Sequence, residues 1–390
     1  MARQTTYRFD QITADELRSR GGLKWGDIGS DQLAAWVAEM DFGLSEPVQD
    51  ALRECAERPV TGYPYGAAEN EMTGATIDFQ WREFSWKLEP SSIRPVPDVT
   101  EGIRRAIMEL TPPGSPVVLH TPVYHPFFIM VDRAMRDQIH VPSLISDRGR
   151  WTLDLDALEE AFSGVATCFV LCNPWNPIGR VFTQEELMAV ADLAQRLDVR
   201  VIADEIHAPL VYPGGVHIPF ASLDHPAAER AVTVTASSKM WNTPGLKCAQ
   251  VILTDPDDQE AWDTAFPSEV VGVATPGLLA ATAAYGDRSG WRDDVLAYLD
   301  RNRGILGEMV VDLVDVAHTP PEGTYLGWLD FRALGLDRPA EFLEKNGGVV
   351  LLEGEIFGAP GHARINFATP APILVEMMER MASALVALDG

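Results

Sequence analysis

Lys239 stands in TASSKMWNTPGLK (residues 235–247), directly after the apolar run Ala231–Val234 and among small residues. A lysine so placed can pack its stem and reach sideways to solvent. If instead it is desolvated, its amine becomes a nucleophile toward carbonyl carbon. Three other polar residues occupy matching places: Asn173 follows VATCFVLC (165–172), Asp204 closes VRVIAD (199–204), and His207 comes three residues later in DEIH. In open parallel sheets ligands collect at the carboxyl ends of the strands, so these four side chains are expected along one edge. Each also has a purely structural use: an Asx turn before Pro174, a turn or helix cap at Asp204, a packed core histidine at His207.

The elements that must position them follow from periodicity. PVVLH (116–120), VATCFVLC, VRVIAD, AVTVT (231–235) and AQVIL (249–253) are short apolar runs that predict buried strands. Between the second and third, FTQEELMAVADLAQRLD predicts a helix: Thr183 and Glu186 form a capping box, Phe182 and Leu187 a hydrophobic staple, and Leu187, Val190, Ala191, Ala194 and Leu197 share a face. Strand, helix, strand at this spacing implies a mostly parallel sheet covered on both sides. After about residue 285 the pattern changes to a long helix, then GTYLGWLDF (323–331) and ARINFATP (363–370), which read as a smaller α/β domain. The expected division is an N-terminal segment, 1–41, packing with the small domain, a large domain, 42–284, and a small C-terminal domain, 285–390.

Composition narrows the function. With 31 Lys plus Arg against 57 Asp plus Glu, the formal charge of −26 repels phosphate backbones and anionic lipid, so neither nucleic acid nor membrane is an expected partner. The N-terminus lacks the apolar core of a signal peptide, and no uninterrupted apolar run reaches about 18 residues, which leads us to expect a cytoplasmic protein. Cys55, Cys168, Cys172 and Cys248 are too scattered for a disulfide framework, and no HExxH or paired His/Cys cluster points to a metal.

NPWNPIGR (173–180), DEIHAPLVYPG (204–214), SSKMWNTPGLK (237–247) and RINFATP (364–370), in this order, resemble the motifs of fold-type I pyridoxal 5'-phosphate (PLP) enzymes of the aminotransferase superfamily. WVAEMDF (36–42), PVPDVTEGIRRAI (95–107), PVYHPF (122–127) and EGTYLGWLDFR (322–332) are similar to the cystathionine beta-lyase-like C-S lyases of the MalY/PatB type. The resemblance implies an α/β, PLP-dependent transferase-like fold of the aspartate aminotransferase type, whose large domain binds the cofactor.

It also implies roles residue by residue. Lys239 would form the Schiff base with the cofactor aldehyde and later serve as base toward the substrate's α carbon. Asp204 would hold the ring nitrogen protonated, Asn173 would bond the phenolic oxygen and border the substrate, and His207 would lie near the cofactor hydroxyl. Tyr124 would stack on the ring and belong to the catalytic set. The helix start at Val99 and Thr100, with Ser238 and Lys247, would cradle the phosphate. Arg364 would clamp the substrate carboxylate through two parallel bonds. Tyr63, in TGYPYG, would reach the phosphate of a neighbouring subunit, making the active unit a homodimer with shared sites. Two positions depart from the family pattern: Trp175 replaces a common histidine, and His125 replaces a second tyrosine.

The implied activity is PLP-dependent α,β-elimination of a small amino-acid substrate, L-cystathionine or another cysteine S-conjugate, to a thiol, pyruvate and ammonia. The alternatives are an aminotransferase, a deaminase or decarboxylase of a secondary-metabolite amino acid, and a regulatory protein retaining the fold.

Overall fold

The computed structural model describes residues 8–146, 149–267 and 272–388. Seven strands form the central sheet: β1 (Ile93–Val96), β2 (Val117–Thr121), β3 (Gln138–Pro142), β4 (Cys168–Cys172), β5 (Arg200–Asp204), β6 (Val232–Thr235) and β7 (Ala249–Leu253). Their spatial order is β1-β7-β6-β5-β4-β2-β3. Pairs from β6 across to β3 are parallel, whereas β7 runs antiparallel to both neighbours. Reversal of β7 brings its amino end, next to Lys247, to the edge where the other strands end. All five apolar runs become strands. The run from 165 shortens to Cys168, because Val165 belongs to a turn after the helix Leu155–Phe162 and is exposed.

Seven helices matter to the site and its frame: α1 (Glu46–Glu57), α2 (Gly66–Phe84), α3 (Val99–Leu110), α4 (Gln184–Arg196), α5 (Thr275–Gly286), α6 (Trp291–Val310) and α7 (Ala371–Val386). Both halves of the capping box form at the start of α4, whose Leu187, Val190, Ala191 and Ala194 are buried. Helix α3 lies flush on the sheet: a Cβ at Gly102 would stand 2.9 Å from Val234 Cγ1 and 3.0 Å from Val251 Cγ2, so glycine permits the approach. The first turn of α3 is thereby fixed at the sheet's functional edge. Asp98 caps it, accepting from Glu101 N.

A second, antiparallel sheet of order β8-β9-β11-β10 is built from β8 (Ala317–Thr319), β9 (Leu326–Asp330), β10 (Leu352–Glu353) and β11 (His362–Asn366). Helix α6 packs against α7 in this part of the chain, while α5 packs on α1 and α2. The segment before residue 41 joins the C-terminal part: Leu33–Ala34 pairs in parallel with Val349–Val350, and Asn366 N donates to Ala35 O at 2.8 Å. One apolar core fills the large sheet, and another unites Phe9, Leu17 and Trp25 with the C-terminal elements. Among the described residues, no helix is long and apolar enough to cross a membrane.

Candidate active site

The carboxyl ends of β1, β4, β5 and β6, with the amino end of β7, enclose a cavity of about 190 Å³. Asp204, His207, Ser238, Lys239, Lys247 and Tyr124 line it, and Val99 and Thr100 close one end. Asn173 and Arg364 do not line it: Asn173 follows the lining residue Cys172 in the chain, and Arg364 bonds to the lining residue Asn176. Of the residues singled out from sequence, Tyr63 stands apart: it is 95% exposed, between α1 and α2.

Lys239 is half-buried by surface area, with its stem enclosed and its Nζ donating to Ala38 O at 2.9 Å. Burial of its surroundings, helped by the charge of Arg364, pushes the ammonium down to about 8, while Glu39 and Asp204 pull the other way. Asp204 is buried, and burial lifts its carboxyl to about 7 although Ile206 N donates to Oδ1 at 3.1 Å. Each of these groups therefore changes charge near neutrality, which an exposed lysine or aspartate does not do. Burial holds His207 neutral, well below the ordinary imidazole value, and pushes Tyr124 up to about 12.

Asn173 N donates to Asp204 O at 2.9 Å, and its Oδ1 accepts from Phe182 N at 3.1 Å. This fixes the amide plane, and Nδ2 is left without a partner. Arg364 rises from β11, donating from Nη1 to Asn176 Oδ1 at 3.1 Å and from Nη2 to Trp36 O at 2.8 Å; its Nε is unpaired. Burial lowers it to about 10, so it remains a cation at neutral pH. Three buried nitrogens without partners, Asn173 Nδ2, His207 Nδ1 and Arg364 Nε, belong to a cavity-lining residue, His207, and to two residues joined to the lining, Asn173 next to Cys172 in the chain and Arg364 by its bond to Asn176. Buried polar groups are normally satisfied, so this grouping suits a polar ligand. With an aldehyde-reactive amine, a buried carboxylate for a ring N–H and a helix start for a phosphate, the donor set fits PLP.

The two departures from the family pattern have physical accounts. Trp175 is fully buried, donates from Nε1 to Pro122 O at 2.8 Å, stacks on Phe182 at 5.6 Å and meets His120 edge-on at 4.7 Å. It is a wall of the NPWNPIGR loop, in which the bonds before Pro174 and Pro177 are cis. His125 meets Tyr124 and Phe357 edge-on at 5.5 and 5.4 Å, and burial lowers it to about 4, which keeps it neutral.

Sequence reasoning missed the part played by backbone. Four consecutive carbonyls, Trp36 to Glu39, accept side-chain hydrogen bonds: Trp36 O from Arg364, Val37 O and Glu39 O from Asn366 Nδ2 at 2.6 and 2.7 Å, and Ala38 O from both Lys239 and Tyr325 Oη, the latter at 2.8 Å. Below them Lys24 and Trp25 clamp the buried Asp41 at 2.9 and 2.8 Å. The only sequence signal for this strap was the WVAEMDF motif itself. Arg180 was also passed over: 1% exposed, it pairs with Glu186 at 2.9 Å and Glu322 at 3.3 Å, tying the Asn173 loop to α4 and to the C-terminal part.

The model of the family described as aminotransferase class I and II matches residues 37–385. The chain is 36% identical to a cystathionine beta-lyase of Corynebacterium glutamicum over 97% of this chain and 100% of the other. It is 32% identical to the cystathionine beta-lyase PatB of Bacillus subtilis, covering 93% and 96% of the two chains. Among solved structures, cystalysin of Treponema denticola, which contains a pyridoxal 5'-phosphate cofactor, superposes with a TM-score of 0.91 at 30% identity, over 98% of this chain and 99% of that one.

Proposed function

Since this chain belongs to the aminotransferase class I and II family and to its branch of cystathionine beta-lyases, we propose that it is a PLP-dependent carbon-sulfur β-lyase of L-cystathionine or other cysteine S-conjugates. The observation that carries the proposal is the meeting of Lys239, Asp204 and His207 in one cavity, with Arg364 bonded to Asn176 of its lining. PLP, when bound, supplies an aldehyde that condenses with amines and a ring that withdraws electrons from the substrate's α carbon. Lys239, Asp204, Asn173, His207 and Tyr124 would hold the ring, and Val99, Thr100, Ser238 and Lys247 the phosphate.

Arg364 grips the substrate carboxylate and so sets which bond of the α carbon faces Lys239. The Nζ of Lys239, with its pKa near 8, has a far larger neutral fraction at physiological pH than an ordinary lysine and can take the α proton. Asp204, held in a dry setting, presents its negative charge where positive charge must be kept during that transfer. Tyr124 walls the cavity, and the strap carbonyls hold Lys239 and Arg364 in place. The pair freed at the α carbon then forms the Cα–Cβ double bond while the β-sulfur departs with the C–S pair, is protonated by the proton Lys239 took up and leaves as a thiol. The three-carbon enamine that remains is converted by water to pyruvate and ammonia. We further infer a cytoplasmic homodimer with shared sites: exposure of Tyr63 beside α2 leaves its ring available to a second copy.

Elimination and transamination begin with the same proton abstraction, so products decide between them. Purified protein given L-cystathionine or an S-substituted cysteine should release thiol and pyruvate in equal amounts with no added keto acid, while alanine, which has no leaving group, yields no pyruvate beyond a slow half-reaction. Conversion that requires an added keto acid and leaves the thioether intact would replace this reading with an aminotransferase.

A further inference from the structure

The phosphate end of the cavity contains a negative charge that phosphate binding does not require. Asp98 lines the cavity with Val99, Thr100, Ser238 and Lys247. Its Oδ1 accepts from Thr100 Oγ1 at 2.7 Å and Glu101 N at 2.9 Å, and its Oδ2 accepts from Lys247 Nζ at 3.0 Å. Burial works against its ionisation, but these donors outweigh burial and hold the carboxyl below its usual range. It is therefore an anion at neutral pH. A phosphate at this helix start draws on the same groups: the Thr100 hydroxyl, the Lys247 ammonium and the first N–H groups of α3. Lys247 is presented from a left-handed backbone, φ +54°, a conformation costly for a residue with a side chain.

We propose that Asp98 sets the affinity of the phosphate subsite: its fixed charge shares Lys247 and Thr100 with the cofactor's phosphate and keeps cofactor binding weaker than the same cradle would give without it. The inference rests on the PLP reading above. Two effects of Asp98 oppose each other. It steadies Lys247, but the Lys247 side chain is 56% exposed, and ion pairs of that kind contribute little. It also repels a phosphate group carrying between one and two negative charges, in a partly buried place where salt screens poorly. The repulsion is the larger effect.

Asparagine at this position keeps an oxygen to accept from Glu101 N, so Asp98→Asn removes the charge and leaves the helix cap. Cofactor-free wild type and variant are titrated with PLP, and with pyridoxal, which lacks the phosphate, at low and high ionic strength, reading Kd from quenching of protein fluorescence. PLP should bind the variant about tenfold more tightly, pyridoxal should bind both proteins equally, and most of the PLP gain should persist in high salt. Unchanged or weaker PLP binding, or an equal gain for pyridoxal, overturns the inference. Asp98→Ser, also a capping residue, carries the same test if the asparagine variant does not fold. A wild type that takes up PLP beside a variant that binds it no better refutes this inference alone, and a wild type that takes up none refutes the functional reading as well.

Discussion

Replacing Asp204 with asparagine should trade catalysis for stability, and the structure gives the size of the stability term. Burial lifts this carboxyl from its usual 3.8 to about 7, against a backbone hydrogen bond from Ile206 and the charge of Lys239. A folded-state pKa above the unfolded one means that the folded protein holds the proton more tightly. The ionised form therefore costs stability, beginning as pH rises through 3.8 and reaching its full size above 7. The interval spans about three pH units at about 1.4 kcal/mol each, so the full cost in the cofactor-free protein is ~4 kcal/mol. Asp204→Asn cannot ionise. Its advantage over wild type in urea unfolding should widen by ~2 kcal/mol between about pH 5.5 and about pH 8.5. Lys239 titrates in the same window in both proteins and cancels to first order. Loaded with PLP, the variant should turn over substrate slower by orders of magnitude, because the negative charge that stabilises the transition state is gone. A stability gap that stays constant across this pH range, or a variant less stable than wild type at the alkaline end, would refute the account of Asp204 as a buried carboxylate held for an opposing charge.

Two further outcomes are expected. Gly277, in α5, leaves no room for a methyl group: a Cβ there would stand 2.2 Å from Leu246 O and 3.1 Å from Cys248 Cβ, so Gly277→Ala should cost about 1–3 kcal/mol and weaken PLP binding by shifting Lys247, and an unchanged Tm and Kd would show that the loop yields freely. If Tyr63 serves a neighbouring subunit's site, inactive Tyr63→Phe and Lys239→Ala chains should partly restore activity when mixed, since one of the two hybrid sites contains both native residues; verified heterodimers with no activity would place each site within one chain.

The side chains of the site were legible because strand ends advertise themselves. Asn173, Asp204 and Lys239 each stand at or just beyond the end of the apolar run of β4, β5 or β6, and buried strands with an intervening helix leave little choice of edge. The capping box at Thr183 was equally plain, since it depends only on local spacing. The reversal of β7 was not. Its residues, AQVIL, are buried on both faces, and a short run of this kind carries no sign of strand polarity. Yet that reversal is what brings Lys247 to the cavity beside Val99 and Thr100 instead of the opposite edge of the sheet.

The strap was illegible for a different reason. Trp36, Val37, Ala38 and Glu39 act through carbonyl oxygens, which every residue possesses, so residue type carries no message about them. Their partners include Arg364 and Asn366, more than 320 residues away, Tyr325, 287 away, and Lys239, about 200 away. Such contacts form only when the N-terminal segment has docked on the C-terminal sheet through Leu33 and Val349. Local pattern fixes which groups reach the edge of the large sheet. The proposed grip of Arg364 on a substrate would depend as well on the Trp36 carbonyl and Asn176 holding two corners of its guanidinium, which are supplied by parts of the chain that only the completed fold brings together.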